Sequence, residues 1–273
     1  FHALHCGGIA EPQFCACIDI DADEDVTLGG ATTTNATGTA VTVTSTSGGV
    51  VDGGDTDTDI TANSGTVVID AVTGVGSADA IDTQINTLDL NNTASGNVDI
   101  NETDDLDINE LDQDAPTGTV NVDAGGTITV VAAQSGVTGT AGQVELDADG
   151  AASSIVVNDE VTTTGGAINI LADDDAIFSA DGDVTSAGGN VTVSGDANAG
   201  GSGTDGAVTM ADGAVINAGS GTVDMDADED VTLGGVTTTN AGATAVTVTS
   251  TSGGVIDGGD TDTDIPANSG TAV

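Results

Sequence analysis

Apolar residues split by one polar residue recur along the whole chain: Val26/Leu28, Val41/Val43, Leu88/Leu90, Val98/Ile100, Val120/Val122, Ile128/Val130, Val144/Leu146, Ile168/Ile170, Val191/Val193, Val223/Met225. A period of two, rich in Val, Ile and Thr, is the mark of short half-buried strands. Gly-Gly, Ser-Gly and Asp-Gly steps punctuate them. No ten-residue stretch carries a helical stripe, and 41 glycines oppose helix further. A sandwich normally needs large aromatic cores, and this chain has no Trp or Tyr and three Phe. A solenoid stacks each coil on its neighbours alone, so small aliphatic side chains fill its narrow interior. The expected fold is therefore an all-β, right-handed parallel β-helix with about three short strands per coil. That predicts about 21–25 residues per coil and about twelve coils, a rod about 55–60 Å long at ~4.8 Å per step.

A second, longer period lies over the first. Residues 19–68 return as residues 224–273 at an offset of 205, with no insertion and only positions 20, 31, 37, 38, 51, 61 and 67 changed. The expected organisation is an atypical leader or cap at 1–17, a repeat unit at 18–223, and the start of the next unit at 224–273, continuous with the same solenoid. A longer array is expected.

Composition then limits partners. The chain has 45 Asp and Glu and no Lys or Arg, a formal charge of −45. Without basic side chains it offers no phosphate-contacting surface, so nucleic acid is not expected as a partner, nor an anionic membrane. No 18-residue apolar span or signal peptide is visible, and direct membrane insertion is not expected. Val, Ile, Leu and Phe sum to 60 of 273 residues. That lies just above the roughly 20 % below which disorder is the default, so the order of residues decides for a fold.

Residues 65–100 carry a recurring signature: a Gly74-Val75-Gly76-Ser77 turn, a strand from Thr83 to Leu88, then Asn92, Thr93, Gly96 and Val98. Gly-Gly-apolar-x-Asp turns stand at 48–52 and 253–257. These features resemble giant bacterial extracellular β-helix repeat proteins of the filamentous-haemagglutinin and β-strand-repeat adhesin type. The resemblance covers most of residues 18–273 and implies an extracellular or cell-surface β-helix serving as stalk, adhesin or fibre. The Lys usual in such proteins is absent here.

Acidic clusters are the candidate ligand sites. Asp19, Asp21, Asp23 and Asp25 return as Asp224, Asp226, Asp228 and Asp230; Asp55, Asp57 and Asp59 return as Asp260, Asp262 and Asp264. Read as strands, each set places its carboxylates on one face, about 6.5–7 Å apart along the strand and ~4.8 Å from the next coil. Hard oxygen ligands at that density suit Ca²⁺, although neither cluster follows an EF-hand loop or the calcium-binding nonapeptide. The alternative is a counter-ion atmosphere on a solvated acidic face. Residues 99–114 hold eight further carboxylates, among them Glu102, Asp104 and Asp105. Carboxylates are so common that pairs carry little information about glycoside hydrolysis, and no sugar-stacking Trp or Tyr exists; an enzyme is not expected.

Thr42, Thr44 and Thr46, repeated at Thr247, Thr249 and Thr251, raise an ice-binding face, but ordinary Thr pairing in strands explains them. The leader holds His2, His5, Cys6, Cys15 and Cys17 at spacings that match no standard zinc pattern. The sequence thus points to a structural, self-associating segment of a secreted repeat protein. The alternative is a calcium-dependent ice- or polysaccharide-binding module with a surface or glycan ligand.

Overall fold

The computed structural model describes residues 2–3, 17–54, 56–197, 206–259, 263–266 and 271–273. It is an all-β, right-handed solenoid of about ten turns with parallel strands, and there is no helix among the described residues. One coil is made of Val98–Glu102, the two halves of Leu106–Gln113, and the turns between them; the next of Val120–Ala124, Ile128–Val130 and Gly136–Gly139. Three faces result, each a ladder of strands related by one coil.

The first face can be followed through nearly the whole chain. Val26, Val50, Val75, Val98, Val120, Val144, Ile168, Val191, Val223, Val246 and Ala272 are successive partners in register. The steps are 22 to 26 residues, with one of 32 between Val191 and Val223. Ten steps at ~4.8 Å make a rod of about 48 Å. Most steps match the expected 21–25 residues, but the described ladder makes ten steps and not twelve coils, because it begins at Val26 and one of its steps takes 32 residues.

Alternation settles which side chains enter. Val144–Ala148 and Ile168–Ala172 both read buried, partly exposed, buried, partly exposed, buried. Val, Ile and Leu from all three faces form one continuous core, and Val98, Leu146, Val157 and Val184 are fully buried. Each such side chain contributes about 1.5–3 kcal/mol by leaving water.

Turns are set by glycine and by inward polar residues. Gly96, Gly118, Gly142, Gly166, Gly189 and Gly221 each stand two residues before a first-face strand. A Cβ at Gly166 would collide with the carbonyl oxygen of Gly142 one coil below, and one at Gly189 with that of Gly166. Where the third face turns into the first, Ser45, Asn92, Gln113, Thr163, Ser186 and Thr238 point inward and are buried. They serve turn backbone that the ladder leaves over. Asn92 accepts from the Gly74 N–H at 3.0 Å and donates to Gln113 Oε1 at 2.8 Å; the Ser186 hydroxyl donates to the Gly166 carbonyl at 2.8 Å and accepts from the Gly189 N–H at 2.7 Å. Buried backbone polar groups must find such partners.

At one end, the backbone of His2–Ala3 pairs antiparallel with Ile18–Ala22. The rest of the expected leader, except Cys17, lies outside the described residues. At the other end, Val255 and Ile256 are exposed at 52 % and 43 %, on an outermost strand.

Candidate functional site

The surface chemistry of this rod is the chemistry of carboxylates, and the fold sorts them into three settings. The first is the entry to a strand. An Asp or Asn directly before the first inward residue accepts, through its side chain, the backbone N–H of the equivalent position one coil later. Asp25 does this for Gly49 at 2.8 Å, Asp105 for Thr127 at 2.8 Å, and Asp175 for Ala207 at 2.8 Å. Asp183 holds Val215 at 2.8 Å, Asp230 holds Gly254 at 2.8 Å, and Asp59 holds Asp82 at 3.2 Å. Asn97 does so for Thr119 at 3.1 Å and Asn190 for Thr222 at 3.0 Å, so the job needs an acceptor oxygen and not a charge.

The second setting is the outward file on the first face. Asp99, Asn121, Glu145 and Asn169 are successive partners, so acid and amide alternate. Asn121 donates to Asp99 at 2.9 Å and Asn169 to Glu145 at 2.7 Å. On an adjoining part of the same face, Asn101 donates to Asp82 at 2.7 Å. In a chain without Lys or Arg, carboxamide N–H groups take the place of cations. The next file lacks this relief: Asp123 and Asp147 are direct partners. Burial, followed by repulsion from Asp123, Asp149, Glu145 and Asp173, pushes Asp147 up to about 6. Asp123 is raised by burial and then by Asp149, Asp99 and Glu145. Oδ1 of Asp147 and Oδ1 of Asp173 are buried with no hydrogen-bond partner.

The third setting is the interior. Glu102 follows Val98 and Ile100 on the inward side and is 1 % exposed. Its Oε2 accepts from the Thr83 hydroxyl at 2.7 Å and the Ile85 N–H at 3.0 Å, while Oε1 accepts from the Asp104 N–H at 3.2 Å. Burial outweighs these bonds and pushes Glu102 up to about 7.

The sequence-predicted clusters divide among these settings. Asp19 and Asp21 point outward from Ile18–Ala22, but Asp23 and Asp25 follow its end, and Asp25 is a strand-entry acceptor. The second copy splits likewise: Asp224 and Asp226 point outward from Val223–Ala227, with Asp228 and Asp230 beyond it. The expectation of four carboxylates on one strand face is corrected, because the strand ends after the second. Burial and then Asp224 and Asp196 raise Asp226. Asp57 is exposed, Asp59 is buried, and Asp264 is half-buried with its carbonyl accepting the Val236 N–H at 2.7 Å. Asp55, Asp260 and Asp262 lie outside the described residues. Among the described residues, no group of three or more His, Cys, Asp or Glu is placed to hold a metal ion.

Thr42 and Thr44 point outward beside Asp19 and Asp21 on one side and Val68 and Asp70 on the other, so they begin no threonine ladder. Short files of three threonines do occur elsewhere, Thr39, Thr66 and Thr87 in the early coils and Thr138, Thr162 and Thr185 on the third face. No protein-family model, curated protein or solved structure matches the chain.

Proposed function

We propose that this chain is a non-enzymatic structural segment of a secreted or cell-surface repeat protein, a rigid acidic stalk, adhesin or fibre that associates with its own kind. The observation that supports this most is the in-register file from Val26 to Ala272, ten coil steps that form one continuous core. Such a stack transmits load along backbone ladders and gains stability coil by coil. Val255 and Ile256 are exposed on the strand Val255–Asp257, and an exposed apolar strand of this kind can be paired by another rod. The resemblance to filamentous-haemagglutinin-type and β-strand-repeat adhesins points the same way, and with it an extracellular setting.

Divalent cations such as Ca²⁺ enter this reading as an ion atmosphere along the carboxylate rows, in place of chelation by the predicted clusters. The charge of −45 and direct partners such as Asp123 and Asp147 supply the need. Electron microscopy of native material tests the proposal. Continuous rods support it, and isolated short particles at every concentration of protein and Ca²⁺ overturn it.

A further inference from the structure

Two periods are superimposed in this protein, and they do not match. Eight coil steps carry Ile20 through Val43, Ile69, Leu90, Leu111, Val137, Val161 and Val184 to Ile216. The sequence copy of Ile20, 205 residues on, is Met225. Met225 is not in that file. It stacks on Val193, Ile170, Leu146, Val122 and Ile100, on the next face around the coil.

A second file gives the same answer. Eight steps carry Val26 to Val223 on the first face. Its sequence copy, Val231, lies on the second face, above Val208, Ala176, Ile155, Ile128 and Leu106. Local pairing is meanwhile unchanged between copies. Ile18 pairs Val41 as Val223 pairs Val246, and Val26 pairs Val50 as Val231 pairs Val255. The same strands are thus built identically on different faces.

We infer that each 205-residue sequence repeat advances the solenoid by eight coils and one face, so that successive repeats display any given surface patch in three directions around the rod. With three faces, one face is about 120° of rotation before any solenoid twist. A patch returns to its first face only after three repeats, 3 × 205 = 615 residues and 25 coils. The patch of Asp19, Asp21, Thr42 and Thr44 faces one way, and its copy, Asp224, Asp226, Thr247 and Thr249, faces another. An array therefore has no single binding plane. A partner that engages its repeats in series must surround it, as further copies of the same rod do in a bundle; a flat ice or polysaccharide surface cannot. This consequence for partners rests on the proposed array, whereas the phase itself is a property of the present chain.

Disulfide trapping tests the phase. In the chain of residues 1–273 with Cys6, Cys15 and Cys17 replaced by Ser, Ser194→Cys is combined with Asp226→Cys, and Asn217→Cys with Thr237→Cys. Each pair occupies outward partner positions on neighbouring strands. The controls are Thr185→Cys or Asn217→Cys with Asp226→Cys, the neighbours Asp226 would have if the repeat spanned a whole number of coils. Neighbouring-strand pairs fall within disulfide reach, so about tenfold more cross-link is expected from the first two pairs than from the controls. Cross-linking of either control, or of no pair in folded protein, overturns the inference. Should the variants not fold, amide contacts in the NMR spectrum of the unsubstituted protein decide: 226 with 194 supports it, 226 with 217 or 185 overturns it. Failure here leaves the rod reading intact, and isolated particles by microscopy leave the phase intact.

Discussion

The carboxylate of Asp25 holds the backbone N–H of Gly49 at 2.8 Å, and Asp230 holds Gly254 at the same 2.8 Å on a different face of the rod. The contact survives the change of face because it depends only on the strand entry and its neighbour one coil on. Acidic residues in these positions are therefore part of the framework.

Replacing one of them should cost stability in a way that tracks the acceptor oxygen. Asp183→Ala leaves the Val215 N–H without its 2.8 Å partner and is expected to cost about 1–2 kcal/mol. Asp183→Asn should retain most of that, since Asn97 and Asn190 already do the same work. Urea unfolding followed by circular dichroism measures both. Equal loss from Ala and Asn would show that charge, not the bond, matters.

Adjacent glycines should behave oppositely. Gly166→Ala forces a Cβ onto the Gly142 carbonyl and should destabilise by about 1–3 kcal/mol or more, as overpacking does. At Gly165 a Cβ meets nothing within 4 Å, so Gly165→Ala should be neutral or stabilise by up to about 1 kcal/mol. Thermal melts of the two variants, side by side, check the contrast.

Glu102 makes stability depend on pH. Its folded pKa, about 7, lies above the ordinary 4.5, so the folded state binds the proton more tightly than the unfolded chain. Stability from this group is full below pH 4.5 and falls as pH rises toward 7, by an amount on the order of 3 kcal/mol. Glu102→Gln keeps an acceptor for the Ile85 and Asp104 N–H groups and lets the Thr83 hydroxyl accept. It should flatten the pH profile and stabilise at pH 8. Urea midpoints of both proteins from pH 4 to 8 test this, and parallel profiles would refute it.

Asp147 acts in the same direction at the surface. Its pKa is raised from 3.8 to about 6, so its contribution is lost as pH rises through that window. Asp147→Asn places an amide beside Asp123, as Asn121 stands beside Asp99. At pH 7 and low salt it should stabilise by on the order of 1 kcal/mol, a figure already reduced for solvent screening. The gain should shrink in 1 M NaCl or millimolar Ca²⁺, read from melting temperature.

Much of this was written in the sequence, and the rest was hidden for definite reasons. Alternation in Val98–Glu102 and Val144–Ala148 gives the strands and their inward side directly. The same parity marks Glu102, Asn92 and Ser186 as inward, two residues past an apolar partner, a signal obscured by the many surface carboxylates and amides around them. The role of Asp25 was not legible, because it depends on Gly49, 24 residues away and one coil on. The displacement of Met225 from the file of Ile20 was hidden for a related reason: it emerges only when every coil between them is traced in space.

The strand-entry acceptors also give the rod a direction. Asp25, Asp59, Asn97, Asp105, Asp175, Asp183, Asn190 and Asp230 each accept from the coil that follows in the chain. A coil that has just formed therefore presents an oxygen already aimed at the next N–H to leave the ribosome. Winding can proceed vectorially during synthesis, each turn templating its successor, without waiting for the distant end of the chain.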